Sequence, residues 1–258
     1  MPPILPPIEA VDIPFERGML LGYFYSGSGV GELPTLIMHK GFDGSASEMH
    51  FLGAVAAQAR GYNVLTLDGP GRPAARHRGS RVFQPRWETV ITPALDWLSE
   101  RDDVDATQIS IFGAGVGAYL AARAAAFEPR LAALVALDGV YDLGEAGAAK
   151  VPAAASYLHY TLRGGVAERI RCATLICEGQ ISGFLSGQPR ELYERLTCPK
   201  RLMRLTSSEA AGPYGQSGDQ QLVFARIFDW LDQTLGLEPV EPVTASRLES
   251  SLATPVHN

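Results

Sequence analysis

The segment Ile109-Ser110-Ile111-Phe112-Gly113-Ala114-Gly115-Val116-Gly117-Ala118-Tyr119 constrains this chain more than any other. An apolar run of strand type enters a tight turn with glycine at every second position and leaves it as a helical pattern. A strand that passes straight into a helix is the first half of a crossover, the connection that parallel strands require.

The rest of the sequence repeats that alternation. Strand-like runs are read at Thr35 to Met38, Asn63 to Leu67, Gln108 to Phe112, Leu131 to Leu137, Ala173 to Cys177 and Arg201 to Leu205. Helical patterns fill the intervals at Ala46 to Arg60, Pro85 to Glu100, Val116 to Phe127, Pro189 to Leu196 and Asp219 to Leu235. The expected fold class is α/β, a mostly parallel sheet with helices on both faces. Gly18 to Tyr25 is expected to be an earlier antiparallel strand, and Ser45 to cap the first helix with Glu48 as its capping-box partner. Ligands of such sheets lie at the carboxyl ends of the strands, so the loops starting at His39, Asp68, Gly113, Asp138, Glu178 and Thr206 should frame one crevice. Residues 1–236 are read as a single domain, with an alanine-rich stretch at about 143–170 as a short cap and 237–258 as a tail or arm.

Composition narrows the partners. With 258 residues, 46% of them apolar, the chain suits one large core. A net charge of -6 and a pI near 5.4 offer nothing general to nucleic acid or an anionic membrane. No run of about 18 apolar residues suits a bilayer, and the proline-rich start is unlike a signal peptide, so a cytoplasmic location is expected. Cys172, Cys177 and Cys198 lack metal-ligand company and read as buried free thiols, and no metal site or cofactor is expected.

His39-Lys40-Gly41-Phe42-Asp43-Gly44, Asp68-Gly69-Pro70-Gly71, Gly113 to Tyr119, Arg123 to Arg130, Gln188 to Lys200 and Phe228-Asp229-Trp230-Leu231 carry a resemblance that covers about residues 12 to 236. The chain resembles the α/β-hydrolase family, in particular its branch of bacterial and fungal esterase-like and polyketide-trimming hydrolases. That resemblance implies the α/β-hydrolase fold. Relatives in this branch carry a helical segment ahead of the sheet and a longer cap, so the pocket here is expected to be more open or to be closed by another subunit.

The family's G-x-S-x-G motif, whose central serine is the nucleophile, reads Gly113-Ala114-Gly115-Val116-Gly117 here. By the same resemblance the family's acid falls near Ser182 and its histidine on Tyr214. All three triad positions are thus replaced, and no histidine lies between His159 and His257. Triad members act as a unit, so this pattern reads as a site released from serine hydrolysis. The oxyanion hole is backbone and outlives the triad: the resemblance assigns its donors to the N–H groups of Phe42 and Val116. Tyr214, Asp43 and His39 remain as acid and base candidates beside purely structural roles. Asp138 and Asp142 occupy a region where some relatives of the wider fold place a relocated acid. Gly115, Tyr119 and Arg72 are the substrate-contact candidates. Arg72 opens a basic run with Arg76, His77, Arg78, Arg81 and Arg86, either a solvated loop or a receiver for a phosphopantetheine arm, a carboxylate or an acidic carrier protein.

Three functional readings follow. The first is a non-hydrolytic enzyme acting on a small carbonyl-bearing molecule, by cyclisation, cycloaddition, elimination or isomerisation of a polyketide-like intermediate. A ligand-binding pseudoenzyme and a hydrolase of non-standard mechanism stay open beside it. The short cap and long tail point to a homodimer.

Overall fold

The structure is a computed structural model that describes residues 7–16, 18–41, 44–70, 84–144, 158–179, 186–205 and 220–237. Its frame is an eight-stranded sheet: β1 (Ile8–Phe15), β2 (Gly18–Tyr25), β3 (Leu33–His39), β4 (Asn63–Asp68), β5 (Val104–Ala114), β6 (Ala133–Leu137), β7 (Ala173–Glu178) and β8 (Lys200–Arg204). The spatial order is β1-β2-β4-β3-β5-β6-β7-β8. β1 and β2 pair antiparallel, β2 runs antiparallel to β4, and every pairing from β4 through β3 to β8 is parallel.

The sheet is buried on both faces because its strands alternate between two cores. Ile37, Leu65, Ile111, Leu134 and Ile176 join one cluster with Trp87, Val90, Ile91, Leu95 and Leu120. Leu36, Val64, Phe112, Val135 and Leu175 face the other, with Met49, Ala57, Phe224, Ile227 and Leu231. The covering helices are α1 (Ala54–Ala59), α2 (Glu88–Ser99), α3 (Val116–Ala125), α4 (Gln188–Arg195) and α5 (Gln220–Leu235). Arg123 of α3 grips Glu88 of α2 through a two-pronged pair at 2.9 and 2.8 Å, and Arg130 bonds Glu128 at 3.0 Å and Asp96 at 2.6 Å. Those arginines of the recognised stretch after the elbow therefore act as staples between the helices.

Two local expectations are corrected. The helix read over Ala46 to Arg60 divides into a 3-10 turn at Ala46–His50, a break at 51–53 and α1. Gly53, at φ 108, supplies the break, and a Cβ there would lie 2.6 Å from the Phe224 ring. The capping box does not form either. Ser45 makes no side-chain bond to the helix backbone, and its Oγ lies 2.9 Å from Ser47 Oγ and 3.4 Å from Glu48 Oε1. The other Glu48 oxygen takes the Lys40 ammonium at 3.0 Å, a charge-assisted bond that outcompetes a neutral backbone N–H. One strand was missed: in β1, Val11, Ile13 and Phe15 point inward in alternation. Pro14 argues against a strand on paper, yet β1 lies at the sheet edge, where a missing N–H is tolerated.

The turn from β5 into α3 is set by backbone contact. A Cβ on Gly113 would lie 2.1 Å from the Gly117 carbonyl oxygen, and one on Gly117 would lie 2.7 Å from the Lys40 carbonyl carbon. The first turn of α3 is thus pressed onto both the end of its own strand and the chain leaving β3. Gly113→Ala should cost at least about 4 kcal/mol in urea unfolding, since only displacement of α3 makes room. Gly139→Ala, whose Cβ would meet the movable Leu192 side chain at 3.3 Å, should stay within about 1 kcal/mol. Trp87→Ala, removing a fully buried indole, should cost about 3–5 kcal/mol.

Candidate active site

At Gly115 the backbone takes φ 58 and ψ -120, between the end of β5 and the start of α3. Its N–H donates to the Leu137 carbonyl at 2.8 Å, and its carbonyl accepts from the Ala118 N–H at 3.0 Å. This backbone region is sparsely populated by residues with a side chain and is held at a cost of about 1–3 kcal/mol when they occupy it. Glycine enters it without that penalty. The turn therefore keeps the sharp shape that would present a side chain to the crevice, and presents none.

Val116 follows as the first residue of α3, where the helix geometry leaves N–H groups without an i−4 carbonyl. The aligned peptide dipoles add positive potential at this end. The chain leaving β3 closes on the same spot: a Cβ on Gly41 would lie 2.7 Å from Val116 Cβ. Of the two expected oxyanion donors, Val116 is thus placed at the helix start, and Phe42 lies outside the described residues. Asp43, Arg72, Ser182 and Tyr214 lie outside them as well, as do residues 145–157 of the expected cap and the tail from 238 onward.

His39 ends β3 opposite Gly113 and is 1% exposed. Its ring packs 5.6 Å from that of Trp87, at an angle of 55°. The strand end and the residue just ahead of α2 therefore meet at this imidazole, a contact between positions 48 residues apart that the sequence does not display. Tyr119, fully buried, donates its hydroxyl to the Pro85 carbonyl at 3.2 Å and packs its ring 5.6 Å from Tyr160. Burial pushes its pKa upward, so this phenol stays protonated through the neutral range. His50, by contrast, lies in the 3-10 turn beside Tyr25, whose hydroxyl is 3.4 Å from its Nδ1.

The carboxylates at the ends of β4, β6 and the following segment each hold backbone or an arginine. Asp68 accepts the Ala46 N–H at 2.8 Å, fixing the 3-10 turn. Asp138 sits in the left-handed region at φ 51 and accepts the Gly179 N–H at 2.7 Å, so it joins the ends of β6 and β7. Burial, together with the Asp138 charge, raises the pKa of the Cys177 thiol. Asp142 binds Arg163 at 2.7 Å and Thr161 Oγ1 at 2.9 Å, while its own N–H and that of Tyr141 donate to Gln188 Oε1. Among the described residues no group of three or more His, Cys, Asp and Glu could hold a metal ion, and no helix is long and apolar enough to cross a membrane.

What this arrangement can do chemically is hold an electron-rich oxygen at the N-terminus of α3 and bring a substrate close to bare backbone at Gly115. No protein-family model matches the chain. It is 26% identical to the hydrolase LUC6 of Fusarium sp over 89% of its length and 70% of the relative's. To the 20-hydroxy-prefusarin hydrolase FUS2 of Gibberella moniliformis it is 25% identical, over 90% of its length and again 70% of the relative's. It is 38% identical to the hydrolase acrC of Aspergillus aculeatus over 56% of its own length and 38% of that protein's. Among solved structures it superposes on the 2,6-dihydroxy-pseudo-oxynicotine hydrolase with a TM-score of 0.76, at 21% identity over 92% of this chain and 71% of the other. The α/β hydrolase GrgF of Penicillium sp. sh18 gives a TM-score of 0.73 at 17% identity, over 90% and 100%. The sheet order, the glycine turn and these likenesses agree: the chain has the α/β-hydrolase fold.

Proposed function

We propose that this protein is a non-hydrolytic enzyme that acts on a carbonyl-bearing small molecule of polyketide type, by cyclisation, cycloaddition, elimination or isomerisation. The observation that carries the reading is Gly115, which keeps the elbow backbone at φ 58 and ψ -120 and has no side chain with which to attack. Acyl transfer through a covalent intermediate needs a nucleophile at that point. Stabilising an enolate or a polarised carbonyl does not, because the charge then develops on an oxygen that backbone N–H groups can hold. The relatives named hydrolases support a carbonyl-bearing substrate, and the prefusarin hydrolase supports a biosynthetic context.

In this reading the substrate carbonyl oxygen seats against the N–H of Val116, with that of Phe42 as second donor. His39 or Asp43 takes a proton from the carbon beside the carbonyl and the electron pair moves onto the oxygen; in cyclisation the enolate carbon attacks a second carbonyl of the substrate, whose C=O π bond opens, and Tyr214 gives that oxygen its proton. Orientation of the reacting ends contributes the remainder, up to about 7–11 kcal/mol in the best cases. Gly115 bounds the substrate space, Tyr119 supports it from within the core, and Arg72 meets a substrate carboxylate or carrier phosphate. The reading calls for no cofactor and takes the homodimer as the working state. A second reading, hydrolysis by an unusual route, is favoured by the names of the relatives.

A fluorophosphonate probe should leave the protein unlabelled, and an enolisable polyketone incubated with it should give a product of unchanged mass or one lighter by water. Labelling of the protein, or a product heavier by water and dependent on it, would contradict the proposal. Gly115→Ser should lose about 1–3 kcal/mol of stability to backbone strain. It should leave ester hydrolysis at buffer background, because no histidine between His159 and His257 is present to activate the new hydroxyl.

A further inference from the structure

β7 and β8 run parallel with Thr174 opposite Lys200, and the Thr174 N–H donates to the Pro199 carbonyl at 2.9 Å. Cys172 and Cys198 lie just ahead of these two strands, two residues before Thr174 and Lys200, in the bends that lead into them. The two cysteines also share a partner. Thr174 Oγ1 is 3.5 Å from Cys198 Sγ and donates to the Cys172 carbonyl at 3.1 Å, and the Cys198 thiol is near enough to Cys172 to act on it electrostatically.

The third cysteine is kept apart. Cys172 and Cys198 are partly exposed and pack against the core that contains Trp87. Cys177, an odd number of residues along β7 from Cys172, is fully buried in the opposite core. The sheet therefore separates Cys177 from the other two.

We propose that Cys172 and Cys198 form a reversible redox pair, a modification site at the leading ends of β7 and β8 that a small-molecule disulfide closes. The Cys198 thiolate attacks one sulfur of the oxidant, whose S–S bond breaks and releases one thiol, giving a mixed disulfide. The Cys172 thiolate then attacks Cys198 Sγ and expels the second thiol, so two protein thiols are oxidised as one disulfide is reduced. Burial pushes the Cys172 thiol up to about 12, which makes the second step slow and faster with rising pH. The closed loop carries β7 and α4 and restricts the unfolded chain.

The full chain is incubated with oxidised glutathione at about pH 8.5 and followed by intact mass, non-reducing peptide mapping and thermal unfolding. The expected result is a mass loss of about 2 Da, a Cys172–Cys198 linked peptide, reversal by dithiothreitol and a Tm rise of about 5–10 °C. Cys172→Ser and Cys198→Ser should each abolish the mass loss, and Cys177→Ala should preserve it. Three unmodified thiols, a glutathione adduct that persists without closing, or a link to Cys177 would overturn the proposal.

Discussion

The first turn of α3 lies on bare backbone, and the rest of the crevice depends on that contact. Gly113 and Gly117 leave 2.1 to 2.9 Å where side-chain atoms would stand, against the strand end of β5 and against the chain leaving β3 at His39 and Lys40. This pressing together fixes where the N-terminus of α3 points and places Gly41 against Val116. It also holds Gly115 at a φ that an ordinary residue occupies only at a cost. The packing of three elements enforces this geometry whether or not the turn presents a side chain.

The same logic explains why the site has an acid at the end of β6 and none of the usual work for it. Asp138 is bound to the Gly179 backbone, and Asp142 to Arg163 and Thr161. Both carboxylates hold the segments after β6 and β7 in place around the crevice. His39 is enclosed by Trp87 at the other flank. Structure and positioning therefore account for Asp138 and Asp142, and the proposal leaves the chemistry to backbone donors, substrate orientation, His39 and the loop residues.

Much of the fold could be read from the sequence because it is written in local periodicity. The parallel strands announce themselves as short apolar runs, and the elbow as three glycines at alternate positions whose spacing reflects direct backbone contact. Gly53 was the point where local reading failed: a helical pattern continues through it, and only its contact with Phe224, far along the chain, shows why the helix breaks. β1 was hidden by Pro14, whose tolerance depends on being at a sheet edge. At the site, the missing side chain of Gly115 was legible from the motif alone. The His39–Trp87 contact, the left-handed Asp138 with its bond to Gly179, and the shared contact of Cys172 and Cys198 with Thr174 were not, since each depends on residues distant in sequence. The sequence reads all three cysteines as buried free thiols, whereas Cys172 and Cys198 are partly exposed against one core and Cys177 is fully buried in the other.

The central claim is that the crevice works without a covalent acyl intermediate, and stopped-flow kinetics with an activated ester test it most directly. With p-nitrophenyl butyrate in excess over the protein, the account predicts no rapid release of p-nitrophenolate in proportion to protein, and a linear trace indistinguishable from buffer. A burst whose amplitude matches the protein concentration would contradict it, because such a burst requires a nucleophile that becomes acylated faster than it is freed.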